Sequence, residues 1–192
     1  MVNVSQVSLQ LTINADGVLE RAKLVNKAGH PQFVRGVGER QFCNNSLLTE
    51  VTIPDGTTAI GDHAFSGCDW LEGIVIPCSV TTIGTGAFYD CYSLKAVTLP
   101  KSVTAIPDDL FTDCNQLERV TILGNITRIG CRAFAWCESL AKITLPKSVT
   151  TIGDRAFYGC SSLMEITLPE DISSMGEEVF AHCPSSMVLH GN

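Results

Sequence analysis

Nine cysteines and four histidines in 192 residues are the first candidates for chemistry, since thiolates and imidazoles ligate metals and act as nucleophiles or bases, and thiols form disulfides. Six of the cysteines, Cys68, Cys91, Cys114, Cys137, Cys160 and Cys183, recur every 23 residues, and Asn45 holds the same slot one interval earlier. A slot shared with asparagine favours a small buried side chain that donates weakly to a turn carbonyl. Copies stacked like parallel strands lie about 4.8 Å apart, somewhat long for the ~3.5–4.5 Å between the Cβ atoms of a disulfide. A reduced, inert ladder is expected, with disulfides or a metal as the alternative. No C-x-x-C pair exists, which removes the usual zinc and thioredoxin patterns. Cys43, Cys78 and Cys131 fall outside the ladder, and Cys78, just after a strand pattern, is the expected exposed thiol.

His30, His63, His182 and His190 are scattered. Only His63 and His182 share a side of the repeat, many copies apart, so surface histidines are expected rather than a metal site or a triad. The G-x-S-x-G, H-E-x-x-H, Walker and G-x-G-x-x-G patterns are absent. The carboxylate pairs Asp108-Asp109 and Glu177-Glu178 are expected on a solvated edge. Glycosylation sequons occur at Asn3, Asn44 and Asn125, a motif common by chance, and Asn125 adjoins a core position at Ile126. With no nucleophile, base and orienting residue to assemble, the chain reads as noncatalytic, with no cofactor and no metal.

The frame that must position these groups is a repeat. Pro54, Pro77, Pro100, Pro146 and Pro169 share one register, with Leu123 in the gap, and Phe42, Phe65, Phe88, Phe111, Phe134, Phe157 and Phe180 keep the same interval. A fixed period in the twenties that returns whole apolar positions marks a solenoid, whose coils bury their hydrophobic side only against neighbours. Within a coil, Leu71-x-x-Ile74-x-Ile76 predicts a short strand, and Pro77, which cannot donate to a ladder, marks where the chain leaves the sheet. Stacked copies make one parallel sheet. The return path, with Gly84 and Ala87-Phe88, reads as a helical or 3₁₀ turn on the opposite side. The expected fold is an α/β solenoid over residues 34–183 with a 23-residue period. Residues 1–33 precede it, where Val7, Leu9, Leu11 and Ile13 alternate before the turn Asn14-Ala15-Asp16-Gly17, as expected of a β-hairpin cap. Residues 184–192 read as a degenerate last coil whose uncapped edge at Met187-Val188-Leu189 invites self-association.

The run Pro-x-x-Val-Thr-x-Ile-Gly-x-x-Ala-Phe-x-x-Cys-x-x-Leu-x-x-Ile-x-Leu, shown almost position for position by Pro77 to Leu99 and Pro146 to Leu168, resembles the BspA-like class of leucine-rich repeats. The resemblance implies a curved right-handed coil with a concave parallel β-sheet, from a bacterial or protist protein displayed at or released from the cell surface, where such repeats bind host or partner proteins. The opening MVNVSQVSLQLTIN lacks the basic and apolar regions of a secretory leader, and the reduced cysteine ladder is compatible with a reducing cytosol.

The informative surface is the strand face turned away from the core. Alternation places Thr52, Val75, Thr98, Thr121, Thr144 and Thr167 in one outward column. Threonine suits an exposed position on a parallel sheet, and the same column would make a flat small-residue groove for a protein ligand. Lys95, Lys101, Arg119, Lys142 and Lys147 are expected on the same side of the middle coils, either as a solvated face or as an electropositive patch for an acidic protein segment or sulfated glycan. Aromatic residues are missing from this face, which disfavours sugar stacking and single-strand nucleic-acid binding there. A formal charge of −7 argues against nucleic acid or anionic membrane as partners, and no apolar run approaches the ~20 residues of a membrane span. The expected function is protein–protein interaction through the strand face; end-to-end assembly through the last coil is the alternative.

Overall fold

The computed structural model describes residues 7–13, 19–26, 36–53 and 55–191. The expected turn at residues 14–17 lies outside the described residues, as do Asn3, His30 and Pro54. Two antiparallel strands, β1 (Val7–Ile13) and β2 (Leu19–Asn26), come first, and β2 then pairs in parallel with the first long strand of the coils.

Each coil carries two strands where the sequence predicts one. The long strands are β4 (Glu50–Thr52), β6 (Gly73–Val75), β8 (Ala96–Leu99), β10 (Arg119–Ile122), β12 (Lys142–Thr144), β14 (Glu165–Leu168) and β16 (Val188–Gly191). Two-residue strands alternate with them: β3 (Gly36–Val37), β5 (Ala59–Ile60), β7 (Thr82–Ile83), β9 (Ala105–Ile106), β11 (Arg128–Ile129), β13 (Thr151–Ile152) and β15 (Ser174–Met175). Both sets stack in parallel, in a register that repeats the sequence period, as in Val51↔Ile74, Val97↔Val120 and Ile143↔Ile166.

The return path is not helical, which corrects the α half of the expected class. No helix occurs among the described residues, and segments such as 108–113 and 131–136 are turns. Residues two before and two after each phenylalanine adopt left-handed backbone: Asp109 and Asp113 have φ of 56° and 61°, Arg132 and Trp136 of 53° and 60°. That alternation points three N–H groups of one coil at the next. Asp109, Phe111 and Asp113 donate to the carbonyls of Cys131, Ala133 and Ala135 at 2.9, 2.8 and 2.9 Å. A helix would turn the same donors along its own axis and leave the neighbouring coil's buried carbonyls unmet. The inter-coil bonds outweigh the 1–2 kcal/mol that left-handed backbone costs a residue with a Cβ.

The core is a set of columns running along the solenoid. Phe65, Phe88, Phe111, Phe134 and Phe157 are fully buried, and consecutive rings of the column stack with centroids 5.1–5.7 Å apart. The cysteines form the ladder that their spacing predicts. Each thiol donates to the phenylalanine carbonyl of the preceding coil, Cys91 to Phe65, Cys114 to Phe88 and Cys160 to Phe134, at 3.1 Å in each case. Each of these carbonyls also accepts a main-chain N–H from its own coil, as Phe65 does from Cys68, so both lone pairs are used. All nine cysteines are free thiols. Burial pushes the Cys68 thiol up to about 12 and raises Cys91, Cys114 and Cys137 as well. Iodoacetamide at about pH 8 is therefore expected to label the exposed Cys78 in the native protein and to spare Cys68, Cys91, Cys114, Cys137 and Cys160, while the denatured chain takes nine labels. Peptide mass spectrometry checks this, and native labelling of Cys91 or Cys114 would contradict the ladder.

Each sheet is broken once, in place of the single continuous ladder that the repeat predicts. The short-strand sheet is divided between β7 and β9. In five other coils the glycine after the short strand donates its N–H to the preceding coil, as Gly84 does to Ile60 and Gly130 to Ile106, both at 2.8 Å. Pro107 holds that slot in the β9 coil and has no N–H to give. The long-strand sheet is divided between β10 and β12. There Leu123 replaces the usual proline and donates to Leu99 at 3.1 Å, a bond proline cannot make. The next residue, Gly124, sits so close to the preceding coil that a Cβ on it would lie 2.7 Å from the Val103 carbonyl. These two residues draw the β10 coil toward β8, and β12 pairs onward with β14 instead.

Candidate functional site

The long strands present their odd positions outward over a buried row. Val51, Ile74, Val97, Val120, Ile143 and Ile166 are at most 9% exposed, and the neighbours between them, Thr52, Val75, Thr98, Thr121, Thr144 and Thr167, are exposed or half-buried. Three register pairs hold this column in line: Thr52↔Val75, Thr98↔Thr121 and Thr144↔Thr167. The division of the sheet falls between Thr121 and Thr144, where an open cleft of about 620 Å³ gathers Arg119, Thr121, Lys142 and Thr144 along its two edges.

The five basic residues do not form one patch. Lys95 bonds Glu72 at 2.7 Å and Lys142 bonds Glu165, each partner standing in an adjacent coil. The Lys142 ammonium holds the Glu165 carboxyl below its ordinary range. Arg119 lies level with Ala96 at the start of the strands, whereas Lys101 and Lys147 sit in the turns that follow β8 and β12, at the opposite end. The carboxylate pairs read as a solvated edge are also engaged. Asp108 bonds Arg128 at 2.8 Å, Asp109 bonds Arg132 at 2.7 Å, and Glu178 bonds Arg155 at 2.6 Å. Such exposed pairs each stabilise by about 0–1 kcal/mol and serve mainly to cancel charge locally.

A second concavity, on the turn side, is absent from the sequence reading. The residue after each phenylalanine is large at Tyr89, small at Thr112 and Ala135, and large again at Tyr158. Across the two small residues runs a trough of about 500 Å³, walled by Asp113 and Trp136 on one side and by Asp109, Arg132 and Arg155 on the other. Trp136 meets Tyr158 edge to face at 5.3 Å, and Arg155 lies 5.7 Å from the Tyr158 ring centre. The indole of Trp136 rests on Gly159, where a Cβ would fall 2.5 Å from the ring. Gly159 has φ of 71°, so two independent constraints keep that position free of a side chain. Burial raises the Asp113 carboxyl above its ordinary range, and the hydrogen bond to the Tyr89 hydroxyl offsets part of the rise. The sequence signal for this site is the large-small-small-large column of Tyr89, Thr112, Ala135 and Tyr158, which lies off the strand face.

Among the described residues no group of three or more His, Cys, Asp or Glu side chains is placed to hold a metal. The described His63 and His182 are far apart and each packs on a different tyrosine, His63 on Tyr89 and His182 on Tyr158.

The family model described as the BspA type leucine-rich repeat region matches six copies, over residues 35–135 and 127–189. Among solved structures, a leucine-rich cell surface protein from Faecalibacterium prausnitzii A2-165 is 32% identical, with a TM-score of 0.77. The match covers 96% of this chain and 53% of that one, so the chain spans about half the length of that relative. The leucine-rich repeat protein of T. pallidum is 26% identical over 96% of this chain and 79% of its own, with a TM-score of 0.59. No curated protein matches the chain. Leucine-rich repeat proteins commonly serve in protein interaction and are typically noncatalytic. Repeat period, phenylalanine column and coil-by-coil stacking thus agree with the family match, and the chain belongs to the BspA-type leucine-rich repeat family.

Proposed function

We propose that this chain is a noncatalytic module that binds a partner protein through the outer face of its long strands, in a setting of cell-surface adhesion or host contact. The observation that supports it is the threonine column, a flat line of short side chains fixed from beneath by a fully packed row. Short side chains on a rigid support lose little entropy when covered, which favours association. The cleft between β10 and β12 adds Arg119 and Lys142 at the middle of that face. The surface setting is carried over from the F. prausnitzii relative, a cell surface protein. In this reading residues 1–33 cap the first coil, residues 34–183 form the binding body and residues 184–192 are a degenerate last coil. Replacing Arg119 and Lys142 together by glutamate is expected to lower partner retention from native lysate or host matrix by at least about tenfold, which is ~1.4 kcal/mol. The melting temperature should hold nearly constant, since an exposed pair contributes ~1 kcal/mol at most. Unchanged retention would remove both residues from the interface.

A second reading rests on β16. All four of its residues are exposed, Val188 at 49% and Leu189 at 56%, and among the described strands it pairs only with β14. Such an edge can add the strand of another copy. Sedimentation over a range of concentrations separates the two, because a monodisperse monomer excludes end-to-end assembly at the concentrations tested.

A further inference from the structure

We propose that the trough on the turn side binds a neutral pyranose unit of a glycan, with the apolar face of the sugar ring on the Trp136 indole and its hydroxyls on Asp113 and the Arg132–Asp109 pair. This site is independent of the strand face. Its walls supply the two kinds of group a sugar ring requires. One face of the indole is laid on Gly159 of the following coil, which turns the other toward Asp113 in the coil before. Trp136 is still 41% exposed, and a ring held flat on one side offers the other as a rigid platform for C–H groups. Asp113 has no cationic partner among the described ion pairs, its neighbour being the Tyr89 hydroxyl. A carboxylate so placed accepts from vicinal hydroxyls. Arg132 grips Asp109 through Nε and Nη2 at 2.7 and 2.8 Å, a fixed fork that presents its remaining donors and acceptors to a ligand. A volume of about 500 Å³, lined by aromatic rings and by the charged groups of Asp109, Asp113, Arg132 and Arg155, is that of a small-ligand site.

Charge and spacing select among ligands. Asp109 cancels Arg132 and Glu178 cancels Arg155, so the unpaired Asp113 leaves the trough negative and disfavours nucleotides, phosphosugars and sulfated glycans. An ammonium cage needs several rings within about 6 Å of one point. Tyr89 and Tyr158 stand three coils apart, at a step of 5.1–5.7 Å per coil in the adjacent phenylalanine column. They therefore bound a slot with length for sugar rings and cannot close on one cation.

The test uses the whole chain, labelled with ¹⁵N, and its two tryptophans. Methyl glucoside, methyl galactoside, methyl mannoside, N-acetylglucosamine, maltose and cellobiose are titrated, and the two indole N–H resonances are followed. The expected result is a saturable shift of Trp136 by at least one of these sugars, with Trp70 unmoved. Asp113→Asn and Trp136→Asn should each weaken the apparent Kd about tenfold or more, because asparagine tolerates the left-handed backbone found at both positions. Tyr92→Ala, at an exposed aromatic outside the trough, should leave it unchanged. Saturation by tetramethylammonium or by a heparin tetrasaccharide in place of the neutral sugars would overturn the proposal. So would the absence of any saturable Trp136 shift up to the solubility of each sugar, or equal movement of Trp70.

Discussion

Phe111→Ala is expected to lower the stability of the chain by ~3–5 kcal/mol, the cost of emptying a packed site of phenylalanine size. The ring is fully buried and stacked on both sides, 5.7 Å from Phe88 and 5.5 Å from Phe134. Its removal takes contacts from two interfaces at once. In a solenoid, stability is close to a sum of coil and nearest-neighbour terms, so a weakened middle also uncouples the coils on either side. Urea unfolding followed by circular dichroism should therefore show a lower midpoint and a broader transition. Phe180 gives the comparison. It is only half-buried and is stacked on one side, 5.7 Å from Phe157, so Phe180→Ala is expected to cost about half as much. Equal losses at the two positions would mean that the column is not what couples the coils.

What the sequence made legible is whatever repeats in kind. The phenylalanine, cysteine and proline columns, the long strands and the outward threonines all reappear at one interval, and each copy corroborates the others. Features that depend on backbone geometry rather than residue type stayed hidden. A two-residue strand such as Thr82–Ile83 is too short to show alternation. The left-handed positions flanking the phenylalanines carry Arg, Asn, His, Gly, Asp, Trp and Glu, so no single residue type marks them, and the segment read as helical for that reason. The ion pairs of Lys95 and Lys142 were visible as opposite charges one period apart, yet their effect depends on side-chain reach. Pro107 and Leu123 were visible as departures from the pattern. Their meaning needed the knowledge that one slot donates an N–H and the other does not.

Those departures lead to the second large effect. Gly130→Ala is expected to cost ~1–3 kcal/mol, the range for forcing added volume into a packed position. A Cβ at Gly130 would lie 2.4 Å from the Asp108 nitrogen and 2.5 Å from the Pro107 carbonyl carbon. Both are backbone atoms of the preceding coil, so no rotamer change relieves the contact. Gly61, Gly84, Gly153 and Gly176 meet backbone of the coil before them at 2.4–2.6 Å in the same way, and none of the five has a positive φ. This column of glycines is thus set by inter-coil spacing and not by conformational freedom. Pro107 puts a ring in the same slot, and the short-strand ladder stops there. Gly73 provides the opposite case: its Cβ would meet nothing within 4 Å, and it lies in a strand in register with Ala96. Gly73→Ala should stabilise the chain by ~0.5–1 kcal/mol through the reduced freedom of the unfolded state. Thermal and urea midpoints of the two variants should accordingly move in opposite directions from the parent, and a Gly130→Ala midpoint at or above the parent's would show that the coils are not held at the spacing on which the glycine column depends.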